Sequence, residues 1–511
     1  MLSFLRRNKW LLAFLIWTLG QMIVYSAFVT DPDDRHGLLL YNSLFTLVFP
    51  ALFLFLSGRI RQIGLVVFFL LSLPSSLIET GWFLMDRSLL IRNQFWVIFA
   101  TNPAEASGFL SMVQGWHWLL LVCYVGISIT LLVFAVREAG TQTHFVGSAF
   151  GVIALLCISL LPPMRANVPW VDFYVSYHAY QGELSKVQTF LQNRQDLTGV
   201  VRNDFPDSTA TVVVIIGESL SRCHCSLYGY CRPTNPRLGA RKDLVVYRNV
   251  VAPDFMTQTV MQQILTFATA ANPEARWNAP TLPELLNAAG WQTYWFDPYE
   301  GTNNTSKTIP TGFSSIAKLC SSYHLCNETE RYDGAYLAHL DTILHDSTVP
   351  RKAVFLHLIG NHFPYERRYP EAFRFFDKDD VCSPFIDRLT PDRIAVVNAY
   401  DDATRYNDWL VDSVLNVLSN VSESAALLYF PDHGEEVYDY DFYAGRSFNH
   451  ITQGLYEIPC VFWQNEAFHK GHPLHLDTER PYCTENMIHT FLDLFAVSYE
   501  RQDSTRSLFY E

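Results

Sequence analysis

Three separate stretches of this 511-residue chain carry side chains suited to metal-assisted chemistry. The apolar run TVVVIIG stops on Gly217-Glu218-Ser219, the run AALLYFP stops on Asp432-His433, and Thr257 opens the helix-like stretch TQTVMQQILTFATA. Two carboxylates, an imidazole and a hydroxyl form a mixed oxygen and nitrogen donor set; four such ligands suit zinc best and manganese less well. A threonine hydroxyl is a weak nucleophile at neutral pH unless a base or a metal lowers its pKa. At a helix N-terminus the unpaired N–H groups also attract an anion such as a phosphoryl oxygen. The expectation is metal-dependent catalysis with Glu218, Asp432, His433 and the Thr257 hydroxyl as ligands and Thr257 as nucleophile. Taken singly, Gly-Glu-Ser could be a plain turn and Asp-His-Gly a capped loop; their joint occurrence after buried strands favours a site.

Such residues meet only if a sheet brings its strand ends together. From Thr209 onward, strand-like and helix-like segments alternate, as in a mainly parallel sheet flanked by helices, whose sites form beyond the carboxyl ends of the strands. TVVVIIG, WQTYWFD, KAVFLHLIG and AALLYFP are the expected strands. TLPELLNAAG is a short helix ending on Gly290, and DRIAVVNAYDDATRYNDWLVDSVLNVLSN a long one. His357, inside a strand, is expected to be packed in the core.

The first third of the chain differs. Five stretches, uncharged but for Glu79 in the third, reach the length of about 20 apolar residues that crosses a bilayer: Trp10 to Phe28, Leu38 to Leu56, Ile63 to Leu84, Trp118 to Val136 and Phe145 to Leu161. Arg6, Arg7, Lys9, Arg59, Arg61 and Arg137 all flank the same side, which is therefore cytoplasmic. An odd number of spans exports everything after Pro162. The domains follow as residues 1–162, a bridging helix and linker over 163–208, and an exported domain over 209–511. Eight of the ten cysteines lie in the exported part, where disulfides form; Cys320 and Cys326, around the short segment SSYHL, are the expected pair. The formal charge of −13 and the lack of a basic run argue against nucleic acid as a partner.

With these motifs the chain resembles the membrane-bound phosphoethanolamine transferases of Gram-negative bacteria, whose exported domain belongs to the alkaline phosphatase and sulfatase superfamily. GESLSRCHCSLYGY is similar to the family's first motif, TQTVMQQILTFA to its nucleophile helix, and PDHGEE to the segment that supplies two ligands. His362 in LIGNHFPY and His450 in SFNH match family histidines near the phosphoryl group, one of which could act as base or help bind a second metal. Asn303 and Lys307 in GTNNTSK, and Asn102 and Glu105 in ATNPAEA, match positions that meet the donor. The resemblance implies a five-helix membrane domain plus an alkaline-phosphatase-like three-layer sandwich, acting as a monomer in the inner membrane with its catalytic domain in the periplasm. It further implies a phosphatidylethanolamine donor and a lipopolysaccharide-type acceptor, with core heptose favoured over lipid A. The alternatives are a phosphoglycerol transferase of the lipoteichoic-acid-synthase kind and a non-catalytic envelope scaffold.

Overall fold

Apart from isolated positions, the computed structural model describes residues 8–28, 58–86, 115–139, 169–192, 208–298 and 312–511. The chain forms two compact units, the second being essentially Lys186–Glu511. In the first unit lie helices α1 (Lys9–Phe28), α2 (Gly58–Asp86) and α3 (Gly115–Glu138). Among the described residues, the latter two are long and apolar enough to cross a membrane. Of the five expected spans, the second and fifth fall almost wholly outside the described residues. Trp17 Nε1 donates to Ser128 Oγ at 3.0 Å and Lys9 Nζ lies 3.5 Å from Glu138, so the start of α1 and the end of α3 share one side. Helix α4 (Pro169–Gln192) lies within the segment 163–208 expected as a bridge; near its end Lys186 pairs with Glu274 at 3.6 Å and Phe190 meets Trp277 edge-on.

The second unit is built on seven strands. In chain order its elements are β1 (Ala210–Gly217), β2 (Val245–Tyr247), α5 (Thr257–Ile264), α6 (Leu282–Ala288), β3 (Gln292–Asp297) and β4 (Ser322–Leu325), then α7 (Tyr336–His345), β5 (Arg351–His357), α8 (Pro391–Leu418), β6 (Ser424–Pro431), β7 (Cys460–Gln464) and α9 (Met487–Leu494). The strand order is β2-β7-β6-β1-β5-β3-β4, parallel throughout except for β7, which runs antiparallel to β6 and β2. Strand β1 lies at the centre with every residue buried. Because side chains alternate along a strand, Val212, Val214 and Ile216 enter one core layer and Val213 and Ile215 the other. Helices α5, α6 and α9 cover the first layer, α7 and α8 the second, which makes the three-layer sandwich.

The helix boundaries follow from capping. Thr281 and Glu284 form a capping box at the start of α6, and Gly290 at φ 84° ends it. Helix α8 begins behind Thr390 with Pro391 in its first turn. Its buried carboxylates anchor loops: Asp408 accepts the N–H groups of Arg237 and Leu238, and Asp402 those of Phe375 and Phe376.

The expected Cys320–Cys326 bridge is not formed. The segment between them is strand β4 and not a loop, and six extended steps span roughly 15–20 Å, well beyond the ~7 Å between Cα atoms that a disulfide tolerates. Cys320 packs in one core layer and Cys326 in the other, both as free thiols. Among the described residues, a disulfide joins Cys231 to Cys382, with Cα atoms 6.4 Å apart.

Candidate metal centre

Sheet register sets the positions of two carboxylates. Gly217 pairs with Pro431 at the last rung between β1 and β6, so Glu218 and Asp432 follow side by side. The Asp432 N–H donates to the Gly217 carbonyl at 3.0 Å and continues the ladder by one step. Beyond it the chain turns sharply: Ser219 adopts φ 55° and donates its N–H to Asp432 Oδ1 at 3.2 Å. The Tyr400 hydroxyl braces this turn by donating to the Ser219 carbonyl at 2.6 Å and accepting from Ser221 N–H at 2.9 Å. Gly360, at φ 46°, presses against Glu218 so closely that a Cβ there would sit 2.8 Å from both its N and O atoms. Gly434, next to His433, is tighter still, since a Cβ would fall 2.0 Å from the Gly454 carbonyl oxygen.

The side chains converge on one point. His433 donates from Nδ1 to the Gly434 carbonyl at 2.7 Å, which turns Nε2 inward. From Nε2 the distances are 3.4 Å to Glu218 Oε1, 3.3 Å to Asp432 Oδ2 and 3.1 Å to Thr257 Oγ1; Thr257 Oγ1 lies 3.1 Å from Glu218 Oε2. Ligands about 2.0–2.2 Å from a tetrahedral zinc sit roughly 3.3–3.6 Å from one another, so these spacings fit a four-coordinate ion. Asp432 Oδ2 is buried and accepts no hydrogen bond among the described residues, which suits an oxygen reserved for a cation. Thr257 is the first residue of α5, behind Met256 in extended conformation, with no side-chain cap taking up the first N–H groups.

The charges call for a cation as well. Glu218, Asp432 and Glu435 are all buried, and the guanidinium of Arg446 lies among them. Arg446 Nε is 3.1 Å from Glu435 Oε2, one amino group is 3.8 Å from Glu218 Oε1, and the other rests against His433 Nε2 and the Phe255 carbonyl. Burial works to raise the Glu218 carboxyl, but the hydrogen bond and charge of His433, backed by Arg446, hold it well below its ordinary range. Burial and the adjacent Glu218 charge push the Asp432 carboxyl up. His362, half-buried, donates from Nδ1 to the Phe363 carbonyl at 2.7 Å. Burial, helped by Arg368 and Arg446 against the pull of Glu218, lowers its pKa to about 4.

Sequence reasoning placed Glu218, Thr257, Asp432 and His433 at separate strand and helix ends, and the structure brings these four together. His362 interacts electrostatically with Glu218. His450 has other partners, Asp441 at 2.6 Å and the stacked Tyr443 ring at 4.1 Å. Asn102, Glu105, Asn303 and Lys307 lie outside the described residues. His357 is the expected core residue, bonded through Nδ1 to Asp297 at 2.9 Å. Two clusters of three metal-ligating side chains occur among the described residues, and neither includes His362 or His450. Sequence reasoning missed Arg446 and Glu435. The available signal for Arg446 was its place four residues before His450, in GRSFNH.

A family model described as Sulfatase matches residues 210–497. The chain belongs to the sulfatase family. Within it, the relatives that align over nearly the whole chain are phosphoethanolamine transferases, and the chain falls in their branch. CptA of Salmonella typhimurium is 30% identical over 524 residues, covering 96% of this chain and 89% of CptA. EptC of Escherichia coli is 29% identical over 523 residues with the same coverage. The crystal structure of the C-terminal periplasmic domain of E. coli EptC, in complex with Zn, aligns at 31% identity and a TM-score of 0.57, covering 62% of this sulfatase-family chain and 90% of that one. The integral membrane protein lipooligosaccharide phosphoethanolamine transferase A (EptA) from Neisseria meningitidis aligns over 98% of both chains at a TM-score of 0.70 and 18% identity, a likeness of fold that runs through the whole chain.

Proposed function

We propose that this chain transfers phosphoethanolamine from phosphatidylethanolamine to an envelope glycolipid of the lipopolysaccharide type, through Thr257. The observation that carries the reading is the approach of Thr257 Oγ1 to both Glu218 and His433 at 3.1 Å, at the front of helix α5. A zinc ion held by Glu218, Asp432, His433 and the Thr257 hydroxyl would lower the hydroxyl pKa and offset phosphoryl charge. Thr257 Oγ1 attacks the donor phosphorus in line, and diacylglycerol leaves with the proton that the threonine gives up. The acceptor hydroxyl then attacks the phosphoethanolamine ester of Thr257 and returns a proton to the threonine oxygen. His362, neutral at pH 7, takes that proton from the acceptor hydroxyl and relays it to the threonine oxygen. Arg446 and the first-turn N–H groups of α5 stabilise charge on the phosphoryl oxygens. His450 and Lys307 are further donors, Asn303 contacts the donor head group, and Asn102 and Glu105 meet the lipid.

The acceptor atom in this reading is a core-sugar hydroxyl, on heptose rather than lipid A. An inner-membrane location with the catalytic unit in the periplasm is supported by two observations. The basic residues Lys9, Arg59, Arg61 and Arg137 stand at the start of α1, the start of α2 and the end of α3, and a disulfide lies in the second unit. The test is intact-mass and peptide mass spectrometry of the full chain incubated with an equal mixture of phosphatidylethanolamine and phosphatidylglycerol and no acceptor. A phosphoethanolamine adduct on Thr257 is expected; a phosphoglycerol adduct, or none, overturns the reading.

A further inference from the structure

Far from the Glu218 cluster in sequence, at the edge of the sheet, a second set of ligand side chains meets. His324 lies on the edge strand β4, Glu330 ends the 3-10 turn Glu328–Glu330, and His339 lies on α7. One ligand atom from each falls within 4.8 Å of the others. His324 Nε2 is 3.4 Å from Glu330 Oε2, the ligand-to-ligand spacing of a tetrahedral site, and His339 Nε2 is 2.5 Å from Glu330 Oε1.

Three features make this a prepared site and not a chance meeting of polar side chains. His324 Nε2 is buried and makes no hydrogen bond among the described residues, although it lies 3.4 Å from the Glu330 carboxylate. The Glu330 carboxylate is held in place from behind, because Oε2 accepts the Asn327 N–H at 3.1 Å and its side-chain amide at 2.5 Å. Both imidazoles also pack on the ring of Phe296 with centroids 5.4 Å away, and on each other at 4.3 Å, which closes one side to water. Pre-oriented imidazoles with a buttressed carboxylate against an apolar wall are the arrangement that a divalent ion selects.

We propose that His324, Glu330 and His339 form a second divalent-metal site, with two imidazole nitrogens and one carboxylate oxygen as ligands and zinc as the cation that fits them. Binding needs one local change: the 2.5 Å contact between His339 and Glu330 opens by about an ångström so that each group turns its lone pair to the ion. The site fastens the edge strand β4 to helix α7. Strand β4 pairs only with β3, so among the described residues its other edge has no ladder partner. The role is structural, independent of phosphoryl transfer.

Zinc content of the full chain in detergent tests this, after chelation, reloading and removal of excess metal. Wild type is expected to hold two equivalents, and both Glu330→Gln and His339→Gln to hold one. Asp432→Asn, which damages only the first centre, is expected to keep one equivalent, and Asp432→Asn combined with His339→Gln to keep none. Cobalt titration of Asp432→Asn adds a readout that needs no second substitution: a visible absorption band of tetrahedral character at one equivalent is expected. A wild-type content of one equivalent, fully lost in Asp432→Asn, overturns the proposal. So does retention of metal in the double variant at the level of Asp432→Asn. Neither result depends on which group the enzyme transfers.

Discussion

In the proposed reaction a single hydroxyl, that of Thr257, serves as both ligand and nucleophile, and the two roles separate on substitution. Thr257→Ala should abolish transfer while the protein stays folded, because the side chain is only half-buried and its partners are the ligands themselves; thermal melting and glycolipid mass spectra check both halves. Thr257→Ser keeps the oxygen and should retain activity within about tenfold, or 1.4 kcal/mol. Arg446→Ala should lower turnover by about 10²–10³, the usual cost of removing one donor to developing phosphoryl charge, while zinc content is kept. A fall in zinc with unchanged turnover per bound zinc would assign Arg446 to the metal instead. Glu218, Thr257, Asp432 and His433 were legible in the sequence because each sits where an apolar run stops or a helix starts. Arg446 was not, since nothing in its neighbourhood tells that its loop folds back over Glu218 and Glu435.

Among buried residues outside the centre, His224 gives the clearest dependence on pH. It lies between Asp401 at 2.6 Å and Asp439 at 3.1 Å. Burial alone would lower its pKa, but Asp439 and Asp401 outweigh burial and hold it well above the ordinary value. A raised pKa in the folded state means that this stabilisation is fully present below the unfolded value of about 6.5 and is lost as pH rises through the folded value. His224→Gln should therefore cost about 3–5 kcal/mol at pH 6, with the gap to wild type narrowing in melts above that folded value; a gap constant with pH would contradict the ion triad.

At the scale of elements, the turns behind the ligands are as constrained as the ligands. Gly360→Ala puts a methyl group into the Glu218 backbone at a left-handed φ, and should destabilise the fold by about 1–3 kcal/mol and weaken zinc binding, as denaturation and metal titration would show. The long helix α8, the central strands and α6 could all be read from the sequence, since their apolar periods and caps are local. Strands β2, β4 and β7 could not, being three to five residues long and defined by the strands beside them. The mistaken Cys320–Cys326 pairing has the same origin: taken as a loop, SSYHL allows two nearby cysteines to meet, whereas the extended strand keeps them apart.

Across the whole molecule, Cys231 and Cys382 close a loop with a sequence separation of 151, which sequence alone could not single out among the eight cysteines of residues 209–511. Replacing both with serine should lower stability by about 2–5 kcal/mol, measured on the full chain under non-reducing conditions, and leave the zinc centre intact. The two described helices long enough to cross a membrane were legible from apolar length.

The last rung between β1 and β6 carries one more consequence. Glu218 and Asp432 are neighbours only because Gly217 faces Pro431, and a slip of one residue would turn either carboxylate to the opposite side of the sheet. A chain that has collapsed with those strands misaligned cannot bring the two carboxylates together, so retention of zinc at this centre, as distinct from the His324 cluster, doubles as a proofreading signal, reporting whether the central strands have found their native alignment.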